Sequence, residues 1–275
     1  MKLRCSSLLA FALAAAFSFA HAQAPQPPAV TGIAHVAYRV ADLDRTQAFL
    51  LKLGFQQSFA FTSKDGKIAE IFVKVNDRQF LEYYPQAAQS LSAPPQPLGW
   101  LHVCYENSDI AAYVNAITAR GIKNIGVHKA GAGNLITAFP DPDGRNTEFT
   151  QYMPGSKHTL DKGLHLLPNR ISPAIEGIEF AVPNFAASRK FYEQMGMTVT
   201  DANAGLRIRI TAQPSPWIQL TKAGSQPRLL FSVASLKAAE KQLKAAGIPV
   251  QNQKKSLAIS DPDGNILVFV QGSAR

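Results

Sequence analysis

The sequence predicts an α+β protein with two similar domains, each made of two β-α-β-β-β units. Two observations predict this fold. First, the order of one strand, one helix and three strands occurs four times, and each unit spans about fifty residues, a period typical of structural repeats. Second, the turn Asp141-Pro142-Asp143-Gly144 returns as Asp261-Pro262-Asp263-Gly264, and a strand follows each copy. A lone unit leaves sheet edges unpaired, so we expect two units to form a half-open eight-stranded barrel with its helices outside.

The chain of 275 residues begins with the features of a secretory signal peptide. Lys2 and Arg4 give a positive start, residues 8–19 are apolar, and Ala20-His21-Ala22 fits a cleavage site. An uncleaved membrane anchor is the alternative, but the apolar run is shorter than the ~20 residues that a spanning helix needs. We therefore expect a signal peptide over residues 1–22, cleavage after Ala22, and a secreted or periplasmic protein.

The number of cysteines and the net charge limit the kinds of site and partner that this protein can have. Removal of the leader also removes Cys5, which leaves Cys104 alone and excludes an internal disulfide and zinc sites built from several cysteines. The formal net charge is +9, and Lys2 and Arg4 of the leader contribute two of these charges. We expect a small-molecule partner, no nucleic acid, no membrane span, and a monomer or a homodimer.

The first two units define the first predicted domain, residues 32–154, which follows an unstructured spacer over residues 23–31. Its first strand covers residues 33–40, and its first helix begins after the N-cap Asp42 and ends before Gly54. The remaining strands of the first unit are expected at residues 56–62, 67–75 and 79–84.

The second unit repeats this order. Its first strand covers residues 100–105, and Asn107 or Ser108 caps a helix that ends at Gly121. Its last strands are expected near residues 124–128, 134–139 and 146–152. A linker over residues 155–173 leads to a second domain, residues 174–272, which holds the third and fourth units.

Four side chains suited to metal binding fall at corresponding places in the first two units. His35 and His102 lie in the middle of each first strand, and Glu82 and Glu148 lie in the middle of each last strand. The residues that flank each histidine are apolar, so alternation directs them to the helix-covered face and the histidine to the concave face. Two imidazoles and two carboxylates in one hollow suit Zn²⁺, Ni²⁺, Fe²⁺, Co²⁺ or Mn²⁺. A vestigial site that holds no metal is the alternative.

The other histidines of the first half lack this placement. His128 lies where the strand expected near residues 124–128 gives way to a loop, and His158 and His165 fall in the predicted linker, so we expect all three to face solvent. The Gly131-Ala132-Gly133-Asn134 stretch is not followed by the Lys-Ser/Thr pair of a phosphate-binding loop.

These residues make the sequence similar to a known superfamily. The segments that carry the resemblance are residues 35–43, Leu81-Glu82, Leu101-His102-Val103, and Asp141-Pro142-Asp143-Gly144 with Glu148. They resemble the vicinal oxygen chelate superfamily, which includes glyoxalase I, bleomycin-resistance proteins and extradiol dioxygenases. The resemblance covers most of the mature chain as two tandem domains of that superfamily. It implies one divalent metal ion, bound by His35, Glu82, His102 and Glu148.

The resemblance also bears on the subfamily and on substrate binding. Glu82 completes a four-ligand site like that of glyoxalase I, whereas the resemblance implies three ligands in the extradiol dioxygenases. Arg39 matches an arginine that contacts a carboxylate of the glutathione adduct in glyoxalase I, and arginine is a good carboxylate partner. Trp100, Tyr84 and Tyr152 are expected to hold a ligand on the concave face.

The second domain has lost the predicted ligand set. When Val182 is aligned on Val40, the positions of His35, Glu82, His102 and Glu148 carry Gly177, Gln219, Arg228 and Val268. A shift of two residues brings in Glu179 alone. The second domain should therefore bind no catalytic metal. An intact site requires the first two units to close on each other, or a homodimer that exchanges them, and we expect the first of these arrangements.

The leader predicts export, and the resemblance implies a metal-dependent enzyme with glyoxalase I-like lyase or isomerase chemistry through a metal-chelated enediolate. Glu148 or Glu82 would move the proton at the carbon beside the chelated oxygens. One alternative is an extradiol-type dioxygenase that uses Fe²⁺ and a catechol, with Glu82 not ligating. The other is a non-catalytic binding protein that sequesters a small molecule or drug.

Overall fold

The fold is described by a computed structural model, which covers residues 26–86, 97–210 and 216–272. The predicted signal peptide over residues 1–22 lies outside the described residues. Within the described ranges, no helix is both long enough and apolar enough to cross a membrane.

The first half of the chain forms eight strands and two main helices in the predicted order. Its elements are β1 (Val30–Val40), α1 (Leu43–Lys52), β2 (Gln56–Thr62), β3 (Ile68–Lys74), β4 (Phe80–Pro85), β5 (Gly99–Asn107), α2 (Ile110–Thr118), β6 (His128–Lys129), β7 (Leu135–Pro140) and β8 (Asn146–Gln151). A short helix, α3 (Lys157–Leu160), follows.

The second half repeats the pattern. Its elements are β9 (Ala174–Ala181), α4 (Phe185–Gln194), β10 (Thr198–Ala202), β11 (Gly205–Arg209), β12 (Trp217–Thr221), β13 (Arg228–Val233), α5 (Leu236–Ala245), β14 (Gln251–Gln253), β15 (Ser256–Ser260) and β16 (Ile266–Gln271).

Each half folds into its own eight-stranded sheet. The strand order is β2-β3-β4-β1-β5-β8-β7-β6 in the first sheet and β10-β11-β12-β9-β13-β16-β15-β14 in the second. Because β1 pairs with β5 in an antiparallel manner, units one and two close on each other within one domain. The predicted α+β fold with two tandem domains is confirmed, and the exchanged arrangement is not needed.

Local signals set the first helix as predicted but not the second. Asp42 caps α1 by accepting a hydrogen bond from Arg45 N, and Gly54 follows the helix at φ +80°. In α2 the N-cap is Asp109, so the prediction of Asn107 or Ser108 is wrong. Asn107 instead holds the chain N-terminal to β1, because its Nδ2 donates to the Pro28 and Ala29 carbonyls.

The predicted linker and spacer contain more structure than expected. β1 begins at Val30, whose side chain is buried, so the spacer does not extend to residue 31. Within residues 155–173, His158 and Asp161 are buried and α3 forms. The prediction that His158 faces solvent is therefore wrong.

The two domains share one apolar core. Most of their buried apolar residues form a single continuous cluster, in which the rings of Phe55 and Phe231 lie 5.4 Å apart. Tyr113 donates a hydrogen bond to the Met195 carbonyl across the interface, 2.7 Å away. The turn after β15 also crosses over, since Asp263 accepts a 2.6 Å bond from Arg45. The concave face of the first sheet stays free of this packing and carries the site.

Candidate metal centre

Four strands that are neighbours in the first sheet position the four predicted metal ligands. The order β4-β1-β5-β8 places Glu82, His35, His102 and Glu148 side by side. Ala37 is the strand partner of both Glu82 and His102, which fixes their height along the sheet. The sheet register therefore brings together residues that lie up to 113 positions apart in the sequence, from His35 to Glu148 (148 − 35).

The donor atoms of these four side chains converge. The Nε2 atoms of His35 and His102 lie 3.2 Å apart. Glu82 Oε2 lies 3.3 Å from the first and 3.4 Å from the second. Glu148 Oε1 lies 3.4 Å from His35 Nε2, and its Oε2 lies 3.9 Å from His102 Nε2.

The spacing of His35 Nε2, His102 Nε2 and Glu82 Oε2 fits one divalent ion, and Glu148 adjoins this group through His35. Bonds of about 2.1 Å to nitrogen and oxygen place neighbouring donors roughly 3.0 to 3.4 Å apart in octahedral or tetrahedral geometry. Glu82 Oε2 is buried and has no hydrogen-bond partner, although it faces both imidazoles. A buried carboxylate oxygen without a partner is costly, and a bound cation would satisfy it. The residues present therefore fit the metal that the resemblance implies.

The protonation of the site suits metal binding. Burial lowers the pKa of both His35 and His102, which keeps the two imidazoles neutral and able to coordinate. Burial, helped by the charge of Glu148, raises the pKa of Glu82 to about 7. The Glu82 carboxyl thus exchanges a proton near neutral pH, and a cation would compete with that proton.

Two neighbours of the ligands were not predicted. Glu70 on β3 lies against Glu82, and burial together with the neighbouring Glu82 carboxylate raises the pKa of Glu70 to about 9. Strand alternation from Phe72, the strand partner of Glu82, could have identified Glu70. Cys104 lies near His35 and Glu148, but burial raises the pKa of its thiol, so the nitrogen and oxygen donors remain the better ligands.

The site opens into a cavity of about 360 Å³. Its lining includes three of the four predicted ligands and a wall of aromatic side chains. The ligands in the lining are His35, Glu82 and Glu148, and Glu70 lies beside them. The ring-bearing side chains are Phe61, Phe72, Tyr84, Tyr152 and His158. The predicted contacts Tyr84 and Tyr152 therefore reach the cavity. Both hydroxyls are already bonded, that of Tyr84 to Glu82 Oε1 and that of Tyr152 to the Arg78 carbonyl, each at 2.9 Å.

Trp100 and Arg39 do not line the cavity. Trp100 stacks on Phe180 of the second domain, with ring centroids 4.7 Å apart. The physical reason is a bulge in β5: Ala37 pairs with His102 while Tyr38 pairs with Trp100, so the alternation is broken between them. Arg39 lies near the end of β1 and is absent from the cavity lining. Their predicted role in substrate binding therefore lacks support from the geometry.

The second sheet reproduces the predicted loss of ligands. Gln219 and Arg228 share Glu179 as strand partner, as Glu82 and His102 share Ala37, which matches the alignment of the two domains. A Cβ at Gly177 would lie 2.4 Å from the Trp217 carbonyl oxygen, so a histidine cannot replace this glycine without a backbone shift. Among the described residues, clusters of possible metal ligands occur in the first domain alone.

Fold and site together define a tandem barrel protein with a two-histidine, two-carboxylate centre in its first barrel. The sequence model of the Glyoxalase/Bleomycin resistance protein/Dioxygenase superfamily matches residues 34–139. The chain thus carries a domain of that superfamily, as the resemblance indicated. The match includes His35, Glu82 and His102 and ends before Glu148. No curated protein matches the chain in sequence.

Solved structures with the same fold include both dioxygenases and a glyoxalase. The Mn(II)-bound glyoxalase from Novosphingobium aromaticivorans has a TM-score of 0.67 and 16% identity, over 89% of this chain and 83% of that chain. Homoprotocatechuate 2,3-dioxygenase from Arthrobacter globiformis has a TM-score of 0.65 and 15% identity, over 90% and 83%. A catechol 2,3-dioxygenase has a TM-score of 0.66 and 13% identity, over 89% of both chains. At these identities the likeness concerns the fold.

Proposed function

We propose that this protein is a divalent-metal-dependent enzyme that acts on a small molecule with two adjacent oxygen atoms. In the leading form of the proposal it is a glyoxalase-like lyase or isomerase that moves a proton at the carbon beside those oxygens. The observation that carries the proposal is Glu82 Oε2, a buried and unpartnered oxygen that faces both imidazoles. It supports a site of four ligands rather than three.

His35, Glu82, His102 and Glu148 would hold the ion, and this donor set suits Zn²⁺, Ni²⁺, Fe²⁺, Co²⁺ and Mn²⁺ alike. When bound, the metal supplies Lewis-acid polarisation of the two adjacent substrate oxygens. Phe61, Phe72 and Tyr84 line the cavity and would limit the access of water to the reacting carbon.

Glu148 is the better candidate for the proton-transferring group. Its side chain is 20% exposed and lines the cavity, whereas the side chain of Glu82 is 5% exposed and accepts the Tyr84 hydroxyl. A base must lie within reach of the proton that it takes, so the carboxylate at the cavity surface has the advantage. Glu82 is the second candidate, because its pKa of about 7 allows it to hold or release a proton at neutral pH.

Solvent deuterium incorporation tests the leading proposal. Metal-loaded protein is mixed with hemithioacetals of 2-oxoaldehydes in deuterated water, and the products are followed by proton NMR. We expect turnover with deuterium at the carbon beside the carbonyl. The Glu148→Gln variant should lose at least 10²-fold in rate, in line with loss of a general base, provided that its metal content is restored by excess metal. Undiminished turnover in metal-loaded Glu148→Gln would remove Glu148 from this role.

Ring-cleaving dioxygenation is the second candidate, because solved dioxygenases share the fold over about nine-tenths of this chain. Oxygen uptake separates the two reactions. Catechol with the Fe²⁺-loaded protein should consume oxygen only if the second candidate is right, and the Glu82→Ala variant should then keep its activity. Protein purified without chelator that holds less than about a tenth of an equivalent of any transition metal would favour a non-catalytic binding protein instead.

We also propose that the protein is exported and cleaved after Ala22. The charged start, apolar run and small-residue cleavage site of the leader support this. Expression of the full chain in a bacterium, followed by fractionation and N-terminal sequencing, tests the proposal. A mature N-terminus at Gln23 in the periplasm or medium is expected, and an intact leader on protein in the cytoplasm would contradict export.

A further inference from the structure

His158 is a buried histidine at the cavity that the metal site does not use. It is 5% exposed and lines the cavity. The rings of Phe59, Phe72 and Phe80 surround it at centroid distances of 4.9, 5.0 and 4.7 Å. Its Nε2 atom is buried and has no hydrogen-bond partner in the structure. A buried polar atom without a partner is costly, so it is expected to serve a purpose.

The hydrogen-bond network fixes which ring nitrogen carries the proton. Asn134 Oδ1 accepts the Met153 N–H, so the other end of that amide, Nδ2, must donate to His158 Nδ1, 2.9 Å away. The imidazole stays neutral, because burial lowers the pKa of His158 to about 4. A neutral ring whose Nδ1 accepts carries its proton on Nε2. The unpartnered atom is therefore a hydrogen-bond donor.

The segment that carries His158 is fixed rigidly against the barrel. Ser156 caps α3, and the Lys157 N–H donates to the Ala132 carbonyl at 2.8 Å. Lys74, which is fully buried, forms a 2.8 Å ion pair with Asp161. The position of His158 is thus set before any ligand enters, as expected of a binding residue rather than of a mobile loop.

We propose that His158 is a ligand-positioning residue, and that its Nε2–H donates a hydrogen bond to a third oxygen of the molecule bound at the metal centre. This rests on the proposed function, because it takes the cavity as the substrate site. The substrate class is then narrower than any compound with two adjacent oxygens. It carries a further acceptor, such as a carboxylate or a carbonyl, outside the chelating pair.

The aromatic wall places this third oxygen relative to the metal. The Phe72 ring contacts both His35 and His158, with centroid distances of 5.8 and 5.0 Å. The third oxygen therefore lies across one aromatic ring from the chelated pair. The hydroxyls of Tyr84 and Tyr152 are already bonded to protein, so neither replaces His158 as the free donor.

Binding of three probes to the metal-loaded full chain tests the proposal. Catechol offers only the adjacent oxygens, whereas 2,3-dihydroxybenzoate and 3,4-dihydroxybenzoate add a carboxylate at two different positions. We expect at least one carboxylate probe to bind the wild type more tightly than catechol. In His158→Phe this advantage should shrink roughly tenfold or more, as expected for loss of a hydrogen bond to a charged group. His158→Gln, which keeps an N–H donor, should retain part of the advantage.

Two results would overturn the proposal: no carboxylate probe favoured by the wild type, or the same preference in wild type and His158→Phe. Nitrogen-15 NMR of histidine-labelled protein gives a test without any ligand, and we expect a neutral ring protonated at Nε2. Protonation at Nδ1 would also overturn it. Failure of the proposed function is distinct, because then catechol and both carboxylates fail to bind even with metal present.

Discussion

The pKa of the Glu82 carboxyl determines how the affinity of the site for a metal ion depends on pH. In the metal-free protein the pKa of Glu82 is about 7, and a metal must displace the proton held below that pH. We therefore expect Zn²⁺ affinity to rise roughly tenfold per pH unit between pH 5 and 6 and to level off above about 7. Competition with a chromophoric chelator measures this. The Glu82→Gln variant should bind more weakly and lose most of this slope; an equal slope in both proteins would contradict the assignment.

The proton on Glu82 opposes metal binding at low pH, but it stabilises the metal-free folded protein there. The folded pKa of Glu82 lies above its ordinary value of 4.5, so between about 4.5 and 7 the folded protein holds a proton that the unfolded chain lacks. This contribution is complete below pH 4.5 and is lost as the pH rises through 7. We expect metal ions to raise the thermal midpoint more at pH 8 than at pH 5.5, as measured by differential scanning calorimetry. A larger rise at pH 5.5 would contradict this expectation.

Sequence reasoning identified the four side chains that adjoin one another in the candidate metal centre, but not all of their neighbours. His35, Glu82, His102 and Glu148 could be found because strand alternation and the internal repeat both mark them. His158 could not, since its place depends on a hydrogen bond to Asn134 and on three phenylalanine rings brought together by the tertiary fold.

At the scale of secondary-structure elements, the β9–β12 pair explains why the second domain cannot regain a ligand. A Cβ at Gly177 would lie 2.4 Å from the Trp217 carbonyl oxygen, and backbone cannot move aside cheaply. We expect Gly177→Ala to destabilise the protein by roughly 1–3 kcal/mol, the usual cost of overpacking. Gly32→Ala on β1 is the matched control, because its Cβ would meet nothing within 4 Å. Chemical denaturation compares the two, and an equal effect of both would refute the steric account.

The contact between β3 and the segment after β8 depends on a buried ion pair. Lys74 is fully buried and lies 2.8 Å from carboxylate oxygens of both Asp77 and Asp161. We expect Lys74→Met to destabilise the protein by roughly 3–5 kcal/mol, because the buried Asp161 loses its ammonium partner and keeps only its contact with His165 Nδ1. Lys244→Met breaks an exposed pair on α5 and should change the denaturation midpoint little. Equal midpoints for the two variants would contradict the role of Lys74.

The predicted bounds of strands and helices agree with the structure where local sequence signals set them. They agree less well where the pairing of strands sets them. The strand expected at residues 56–62 was found at β2 with the same bounds, and Asp42 caps α1 as expected. The strand expected near residues 124–128 was misplaced: the structure has only the two-residue edge strand β6, His128–Lys129, which overlaps that range at residue 128 alone. The bulge that turns Trp100 away from the cavity depends on the register of β5 against β1, which the sequence of β5 alone does not specify.

At the scale of the whole molecule, Trp100 joins the two domains. Its ring stacks on Phe180, and the guanidinium of Arg145 lies over both rings, 5.9 and 5.4 Å from their centroids. We expect Trp100→Ala to destabilise the protein by roughly 2–4 kcal/mol through loss of aromatic packing, while metal stoichiometry stays the same. Calorimetry and elemental analysis measure the two effects. Loss of metal with unchanged stability would instead return Trp100 to the site.

The tandem repeat made the overall architecture the most predictable feature of the chain. Matching ligand positions in units one and two predicted that these units close on each other, and the β1–β5 pairing agrees. The shared core was not predicted, because contacts such as that between Phe55 and Phe231 arise only when the two domains dock. One domain thus carries the site, and the other packs against it through a common core.

Anomalous diffraction from a crystal soaked in Zn²⁺ tests the central claim most directly. We predict one strong peak per chain in the first domain, about 2.1 Å from His35 Nε2, His102 Nε2, a Glu82 oxygen and a Glu148 oxygen. The absence of a peak at this position, or a peak bonded to other residues only, would contradict the account.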